Sequence, residues 1–218
     1  MSKSKSSIVD TLIIGSGLAG LSAANDLSDA GAKVIIVDKG RGVGGRLAVR
    51  RIGEAVFDHG AQFFTARSNR FIDCVAQWVQ SGVAAQWYQS YPGQPNGHPR
   101  YRGKPNMASI AKHLAKNQII MQSNRAESLS HDRHYWTVKL ESEESIIARS
   151  IVITSPVPQT LDLLEQADIH LSSSITERLQ KIQYESCIAV MAVLDGTTNL
   201  ADPGAIALDQ GPIAWISD

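Results

Sequence analysis

Residues 11–46 read TLIIGSGLAGLSAANDLSDAGAKVIIVDKGRGVGGR. The apolar run TLII predicts a strand, and the glycine-rich turn GSGLAG follows it. Apolar residues at Leu18, Leu21 and Leu27 then repeat at helical spacing, and the run KVIIV predicts a second strand. The order strand, turn, helix, strand predicts a right-handed βαβ unit in a parallel sheet.

The glycine turn has the spacing of a dinucleotide-binding site. Glycine allows a tight turn at Gly15, close approach of a pyrophosphate to the backbone at Gly17, and close packing of the helix at Gly20. The N-terminus of the helix offers N–H groups to the phosphates. Asp38 ends the second strand, where it would accept hydrogen bonds from both ribose hydroxyls and repel the 2′-phosphate of NADP. The dinucleotide contacts predicted here are Gly15, Ser16, Gly17, Leu18, Ala19, Gly20 and Asp38.

A second glycine cluster, GRGVGGR at residues 40–46, comes directly after Asp38. Two glycines there let a loop lie flat across a pyrophosphate, and Arg46 can reach it as a charged donor. A nicotinamide-only site does not need this loop, so the cluster favours FAD. The alternative is a flexible surface loop with solvated arginines. The further cofactor contacts predicted are Lys39, Arg41, Gly45 and Arg46.

Composition excludes several classes of protein. The chain has 218 residues, 43% of them hydrophobic, and 21 basic side chains balance 21 acidic ones. This balance provides no global electrostatic field that would attract nucleic acid or an anionic membrane.

Cys74 and Cys187 are spaced neither as metal ligands nor as a CxxC redox motif. This spacing favours two unreactive thiols in a reducing cytosol. Residues 1–7 are interpreted as a frayed polar tail, not a signal peptide, and residues 131–134 (HDRH) as a solvated turn, not a metal site. We therefore expect a cytoplasmic protein with no membrane span and no metal.

The motifs GSGLAG, VDK, GVGGR and DHGAQFFT (residues 58–65) together resemble the flavin-dependent amine oxidase superfamily. Within it the chain is most similar to the renalase branch and its bacterial relatives. The resemblance implies that residues 58–62 run along the flavin, and that the chain passes the adenine at Ala126, where the family usually has valine. The cofactor contacts it implies are His59, Gly60, Ala61, Gln62 and Ala126, and the substrate-facing candidates are Phe63, Phe64 and Thr65.

His59 is the residue of this segment whose side chain could act as a general base. No partner that would orient its ring is identifiable, so we expect it to contact the flavin through its backbone. No nucleophile–base pair and no carboxylate dyad is recognised in the chain. Hydride transfer to a flavin needs neither, because the cofactor carries the chemistry.

The remaining segments predict further elements. Residues 71–81 predict a helix with Phe71 and Trp78 in the core, and Asn106 is a plausible N-cap of another helix. Residues 86–103 mix aromatic residues with Pro92, Pro95 and Pro99, and we expect them to form strands and loops. One or two of the aromatic residues are expected to line a pocket; the candidates are Trp87, Tyr88, Tyr91 and Tyr101. Strands are further predicted at residues 118–122, 126–129, 135–140, 146–148, 150–154, 187–194, 205–208 and 213–216, a loop at 155–158, and helices at 160–164 and 175–182.

The expected fold class is α/β. A Rossmann-like FAD-binding domain, a parallel sheet with a β-meander crossover, is interleaved with a smaller α+β substrate domain. We assign residues 1–70 and 104–160 to the FAD-binding domain, and residues 71–103 and 161–218 to the substrate domain. The resemblance covers all 218 residues but only about the first two-thirds of a family member. A fragment is therefore favoured over a natural short form, and substrate contacts from a further portion are expected.

The leading functional hypothesis is an FAD-dependent oxidoreductase that takes hydride from a small substrate, with oxygen as acceptor. The resemblance implies an isomeric dihydronicotinamide dinucleotide as the substrate. The alternatives within the class are a flavin amine oxidase, or a related desaturase acting on a carotenoid-like or protoporphyrin-like substrate. The alternatives outside it are an NAD-dependent dehydrogenase and a non-catalytic nucleotide-binding fragment. A small-molecule substrate is the only partner expected, and the oligomeric state stays open.

Overall fold

The computed structural model describes residues 8–89 and 97–218. The tail at residues 1–7 and the positions Tyr91, Pro92 and Pro95 lie outside the described residues. The strands are β1 (Val9–Ile14), β2 (Val34–Val37), β3 (Arg50–Ile52), β4 (Ala55–Phe57), β5 (Ala84–Tyr88), β6 (Arg100–Gly103), β7 (Ile120–Met121), β8 (Ala126–His131), β9 (Trp136–Leu140), β10 (Ser145–Ile153), β11 (Ala205–Ala207) and β12 (Trp215–Ser217). The helices are α1 (Leu18–Asp29), α2 (Asn69–Gln80), α3 (Ala108–Ala115), α4 (Val157–Gln166) and α5 (Ser173–Gln180), with a short 3-10 helix at Gly45–Leu47.

The chain divides into two compact units. Unit 1 comprises Met1–Ala48 and Ile110–Ile188, and unit 2 comprises Val49–Ser109 and Ala189–Asp218. Both units are discontinuous in sequence, as expected of interleaved domains. The predicted division by function has other boundaries and stays a prediction.

Unit 1 is built on a six-stranded mixed sheet with the order β7-β2-β1-β10-β9-β8. β1 pairs in parallel with β2 on one side and with β10 on the other. β2 also pairs in parallel with β7, whereas β9 pairs antiparallel with both β10 and β8. The α/β Rossmann-like fold class with its β-meander is thereby confirmed.

The meander joins the parallel sheet through a single strand. Residues 146–148 and 150–154 were predicted as separate strands, but β10 runs without interruption from Ser145 to Ile153. Its first half pairs antiparallel with β9, and its second half pairs in parallel with β1, where Ser150 faces Thr11. Neither glycine nor proline separates the two halves in the sequence ARS, so the strand continues.

The core of unit 1 lies on this sheet. Apolar side chains of β1, β9 and β10 pack together with Leu163 of α4. Leu12, Val138 and Leu140 are completely buried within this set. A run of apolar residues buried on both faces is the pattern of a central parallel strand, and β1 shows it.

Unit 2 contains three two-stranded sheets, β3–β4, β5–β6 and β11–β12, together with α2. The predicted helix over 71–81 is confirmed, and it begins slightly earlier because the Ser68 hydroxyl accepts the Phe71 N–H at 3.4 Å and caps it. Trp78 is buried, as predicted for the core, and so is Val75, whereas Phe71 is partly buried. No described helix of either unit is long and apolar enough to cross a membrane.

Two predictions about the chain after β10 are wrong. Residues 187–194 form no strand, and Ile188 and Val190 are 90% and 88% exposed. A strand needs a hydrogen-bonded neighbour, and none of the residues in the ranges 8–89 and 97–218 pairs with this segment. The loop predicted at 155–158 is too long: residues 155–156 lie outside the helix, but α4 begins at Val157, because a proline is well accommodated in the first helical turn.

Truncation of Leu140 tests the core of unit 1. Leu140→Ala should lower the free energy of unfolding by about 2–5 kcal/mol, because it leaves a cavity among completely buried neighbours. The control Ile119→Ala removes a side chain that is 58% exposed and should change it by only about 0.5 kcal/mol. Denaturant unfolding measures both, and equal effects would contradict this placement of the core.

Candidate functional site

Two glycines of the first turn are required by the protein's own packing. Gly15 has a φ of +109°, and a Cβ there would lie 2.5 Å from Oγ1 of Thr154. A Cβ on Gly20 would lie 1.9 Å from the carbonyl oxygen of Gly15. The turn therefore lies against the end of β10 with no space for another carbon.

Gly17 differs from these two glycines. Its φ is −73°, which any residue adopts, and a Cβ there would meet nothing within 4 Å. Gly17 is the N-cap of α1 and makes no side-chain capping bond, and the helical hydrogen bonds begin with the Leu21 N–H. The N–H groups before Leu21 thus precede the hydrogen-bonded part of the helix. Glycine at this point leaves space beside a helix N-terminus, which fits a phosphate group.

The second glycine cluster lies directly against the first. The Gly44 N–H donates to the Ser16 carbonyl at 2.9 Å, and Gly17 and Gly44 form a parallel bridge. A Cβ on Gly45, whose φ is +53°, would lie 3.4 Å from Cα of Gly17. Arg46 follows on the short 3-10 helix and is exposed. Two segments more than twenty residues apart in sequence thereby border the same space.

Asp38 lies at the carboxyl end of β2 and is held by three donors. Its Oδ2 accepts the backbone N–H of Ser16 at 2.5 Å and the Ser16 hydroxyl at 2.8 Å. Its Oδ1 accepts the Gly40 N–H at 2.6 Å. Each carboxylate oxygen has about two acceptor positions, so Oδ1 retains capacity for a ribose hydroxyl. The donors fix the carboxylate beside the glycine turn.

The chain returns to Asp38 before β8. The Ser123 N–H donates to the Gly40 carbonyl at 2.8 Å, and the Asn124 N–H donates to the Asp38 carbonyl at 2.9 Å. Ala126 then begins β8. The structure thus places the position expected at the adenine two residues beyond a direct backbone contact with Asp38.

Thr154 is a site residue that sequence reasoning missed. Its hydroxyl donates to the carbonyls of Ile14 and Gly15, at 3.0 and 3.2 Å. It therefore fixes the turn on the end of β10. The available signal was a small polar residue that ends an otherwise apolar strand.

Two of the charged residues predicted to bind the cofactor have different surroundings. Lys39 donates a hydrogen bond to the Gln159 side chain at 3.0 Å, whereas Arg41 is exposed.

The segment 58–65 belongs to unit 2, and Asp58 has a structural role there. Its carboxylate accepts the Met107 N–H at 3.0 and 3.2 Å, and so caps the start of α3. The prediction that Asn106 caps this helix is wrong: its Oδ1 is buried without a hydrogen-bond partner among the described residues. Burial raises the pKa of Asp58, and this shift is opposed by the Met107 N–H, His59 and Arg102.

The residues after Asp58 have different surroundings. His59 and Gly60 are exposed, whereas Ala61 and Thr65 are partly buried. The Gln62 amide oxygen accepts the indole N–H of Trp215 and, at 3.0 Å, the Ser217 hydroxyl. Gln62 is thereby tied to β12.

The two phenylalanines of the motif separate. The Phe64 ring packs with Phe71, Trp78 and Tyr101, at centroid distances of 5.9, 6.0 and 5.8 Å. Phe63 instead lies near Trp87 and Trp215, at 6.5 and 5.3 Å. Phe64 is thus part of the internal packing of unit 2, whereas Phe63 belongs to a second aromatic group. A substrate-facing role stays a prediction for both, and for Thr65.

The predicted site residues therefore form two sets. The structure brings together, in unit 1, those of the two glycine clusters, Asp38 and Ala126, and gathers those of residues 59–65 in unit 2. Their roles in cofactor and substrate binding remain predictions.

Comparisons with known proteins agree with this architecture. The family of NAD(P)-binding Rossmann-like domains matches residues 13–78. A mutant of putrescine oxidase superposes with a TM-score of 0.64 at 13% identity, covering 79% of this chain and 63% of that one. Wild-type putrescine oxidase bound to putrescine gives 0.61 at 13% identity, over 80% and 63%. A protein from Exiguobacterium sp. 255-15 that is named as a protoporphyrinogen oxidase gives 0.63 at 13% identity, over 80% and 64%.

These likenesses show the fold, a Rossmann-like α/β architecture like that of putrescine oxidase. The chain spans 63–64% of the length of these proteins. At this level of identity, neither their activities nor their substrates transfer to this chain.

The Asp58 cap predicts a specific dependence of stability on pH. Because the folded-state pKa is raised above 3.8, the proton is bound more tightly in the folded protein. The contribution of this carboxyl to stability is then greatest below pH 3.8, and it is lost as the pH rises through the folded-state pKa. The stability of the wild type relative to Asp58→Asn, which keeps an acceptor for Met107, should therefore fall as the pH rises through this window.

Asp58→Ala separates the cap from the charge. It removes the acceptor and should be about 1 kcal/mol less stable than Asp58→Asn at every pH, because neither of these side chains titrates. Urea unfolding of the three proteins across acidic to neutral pH measures both effects. A wild type that gains stability relative to Asp58→Asn as the pH rises would contradict the assigned cause.

Proposed function

We propose that this chain binds FAD in unit 1 and is an FAD-dependent oxidoreductase. The observation that carries the proposal is Gly17. Its backbone conformation is ordinary and a Cβ there meets no protein atom within 4 Å, yet the residue is glycine and the second glycine cluster packs against it. A bound ligand that occupies this space would explain why residue 17 is glycine, and a pyrophosphate fits the adjacent helix N-terminus.

The residues of unit 1 divide the binding of such a cofactor among themselves. The backbone at Gly17 and Gly45 would hold the pyrophosphate, with Arg46 as a charged donor. Asp38 would accept a ribose hydroxyl, and the backbone at Ala126 would contact the adenine. Bound FAD supplies an acceptor for a hydride, so these residues have only to bind and orient it.

The finer assignment concerns the substrate. The resemblance of the DHGAQFFT segment to renalases supports an isomeric dihydronicotinamide dinucleotide, with oxygen as the final acceptor. Such a ring regains aromaticity on losing hydride, so no base is required of the protein. The fold shared with putrescine oxidase supports amine oxidation as the alternative within the class. A cytoplasmic location belongs to the same proposal and rests on composition alone.

A second candidate has its own support, because the matching family of residues 13–78 is described as NAD(P)-binding. In that case the chain would hold NAD alone, as a dehydrogenase or a non-catalytic module. The second glycine cluster favours FAD, and a carboxylate at Asp38 disfavours NADP.

Substitution of Gly17 tests the FAD site. Gly17→Ala and Gly17→Ser should each weaken FAD binding about tenfold or more, because the new side chain occupies the space beside the helix N-terminus. Stability should change by no more than about 1 kcal/mol, and serine, a preferred N-cap, should be the better tolerated. Isothermal titration with FAD and thermal unfolding measure the two quantities.

Gly196→Ala is the matched control. It lies in unit 2, its φ is outside the left-handed region, and a Cβ there also meets nothing within 4 Å. It should change neither FAD affinity nor stability. Unchanged FAD affinity in both Gly17 variants would refute the proposed site.

A further inference from the structure

We infer that Ser16 is a positioning residue of the proposed dinucleotide site, and that it orients Asp38 to bind a single ribose hydroxyl. The inference deepens the proposed function and rests on it, since it concerns the same site in unit 1. The sequence predicts Ser16 as a direct contact of the dinucleotide and Asp38 as an acceptor of both ribose hydroxyls. The contacts of these two residues support a different division of roles.

Ser16 has no accessible surface with which to touch a ligand. It is completely buried, although it lies in the turn between Gly15 and Gly17. Its N–H and its hydroxyl both donate to Oδ2 of Asp38, at 2.5 and 2.8 Å, and its carbonyl accepts the Gly44 N–H at 2.9 Å. Both donors and the carbonyl are engaged within the protein, so Ser16 acts on a ligand only through the residues that it holds.

The donors are divided unequally between the two oxygens of Asp38. Oδ2 accepts both donors of Ser16, which fill the roughly two acceptor positions of a carboxylate oxygen. Oδ1 accepts the Gly40 N–H at 2.6 Å, and within residues 8–89 and 97–218 it has no second donor. A Cβ on Gly40 would lie 2.9 Å from Oδ1, so glycine there permits this close approach. The acceptor position that remains lies on Oδ1.

A single acceptor position limits what Asp38 can bind. Asp38 is partly exposed, so a ligand can reach it, and one free position accepts either the 2′- or the 3′-hydroxyl of a ribose but not both. A rotation that presented Oδ2 instead would break both bonds to Ser16, and hydrogen bonds to a charged group are among the stronger ones. The Ser16 hydroxyl therefore helps to fix the carboxylate before a ligand binds, which lowers the entropic cost of binding.

Three nucleotides that differ only in the ribose test how many hydroxyls Asp38 binds: ADP, 2′-deoxy-ADP and 3′-deoxy-ADP. In calorimetric titration of the full chain, freed of any bound flavin, loss of one hydroxyl should weaken binding about tenfold or more. Loss of the other hydroxyl should change the affinity by about twofold or less. Comparable losses for both deoxynucleotides, or a loss for neither, would overturn the inference.

Ser16→Ala tests the positioning role, because it removes the hydroxyl and keeps the N–H and the carbonyl. It should weaken binding of the two nucleotides that carry the bound hydroxyl by about three- to tenfold, since Asp38 loses one of its three donors. The nucleotide that lacks this hydroxyl makes no bond to Asp38, so its affinity should not change. Equal weakening of all three nucleotides would show damage to the turn alone and would overturn the inference, as would an unchanged affinity for ADP.

Thr11→Val is the matched control for the loss of a buried hydroxyl in unit 1. Thr11 lies on β1 and is 5% exposed, and its hydroxyl shares a hydrogen bond of 2.9 Å with the Ser150 hydroxyl. The variant should leave all three affinities unchanged. A loss of ADP affinity as large as that of Ser16→Ala would assign the effect to β1 as a whole and count against Ser16.

The dinucleotide that the same chain binds separates this inference from the proposed function. Bound FAD together with equal effects of Ser16→Ala on the three nucleotides refutes the role of Ser16 and leaves the proposed function standing. The expected pattern in a chain that binds NAD and cannot be loaded with FAD supports the role of Ser16 and refutes the proposed function. A chain that binds neither ADP nor FAD refutes both.

Discussion

The architecture of unit 1 depends on one close contact, that between Gly20 and the carbonyl oxygen of Gly15. A Cβ on Gly20 would come within 1.9 Å of that oxygen, so the first turn of α1 lies directly on the chain that leaves β1. Thr154, at the end of β10, donates to the same carbonyl. The turn is therefore fixed from the helix side and from the neighbouring strand, and its geometry follows from backbone packing.

The position of the turn determines what surrounds it. β1 lies between β2 and β10, and all three are parallel, so their carboxyl ends meet at one edge of the sheet. The glycine turn, Asp38 and Thr154 follow these three strands in that order. Ligands of open α/β sheets bind at such an edge, where the connections diverge in opposite directions. The second glycine cluster and the residues before Ala126 return to the same edge through backbone hydrogen bonds, which tolerate changes of side chain.

Much of this was predictable because the signals are local. The βαβ unit follows from two apolar runs and one helical stripe, and the fold class was predicted correctly. The wrong predictions are those in which a contact with a residue distant in sequence determines the local structure. Asp58, and not Asn106, caps the start of α3, because the fold brings the Asp58 carboxylate to the Met107 N–H. Residues 187–194 have the composition of a strand, but composition does not supply a neighbouring strand. Thr154 was missed because its importance lies in two carbonyls of β1 and the turn.

The central claim is that unit 1 is built for the ADP half of FAD. The identity of the dinucleotide retained by the purified chain tests this most directly. The account predicts a yellow protein that releases FAD on denaturation and shows no affinity for NADP. A colourless protein that binds NAD and cannot be loaded with FAD would contradict it.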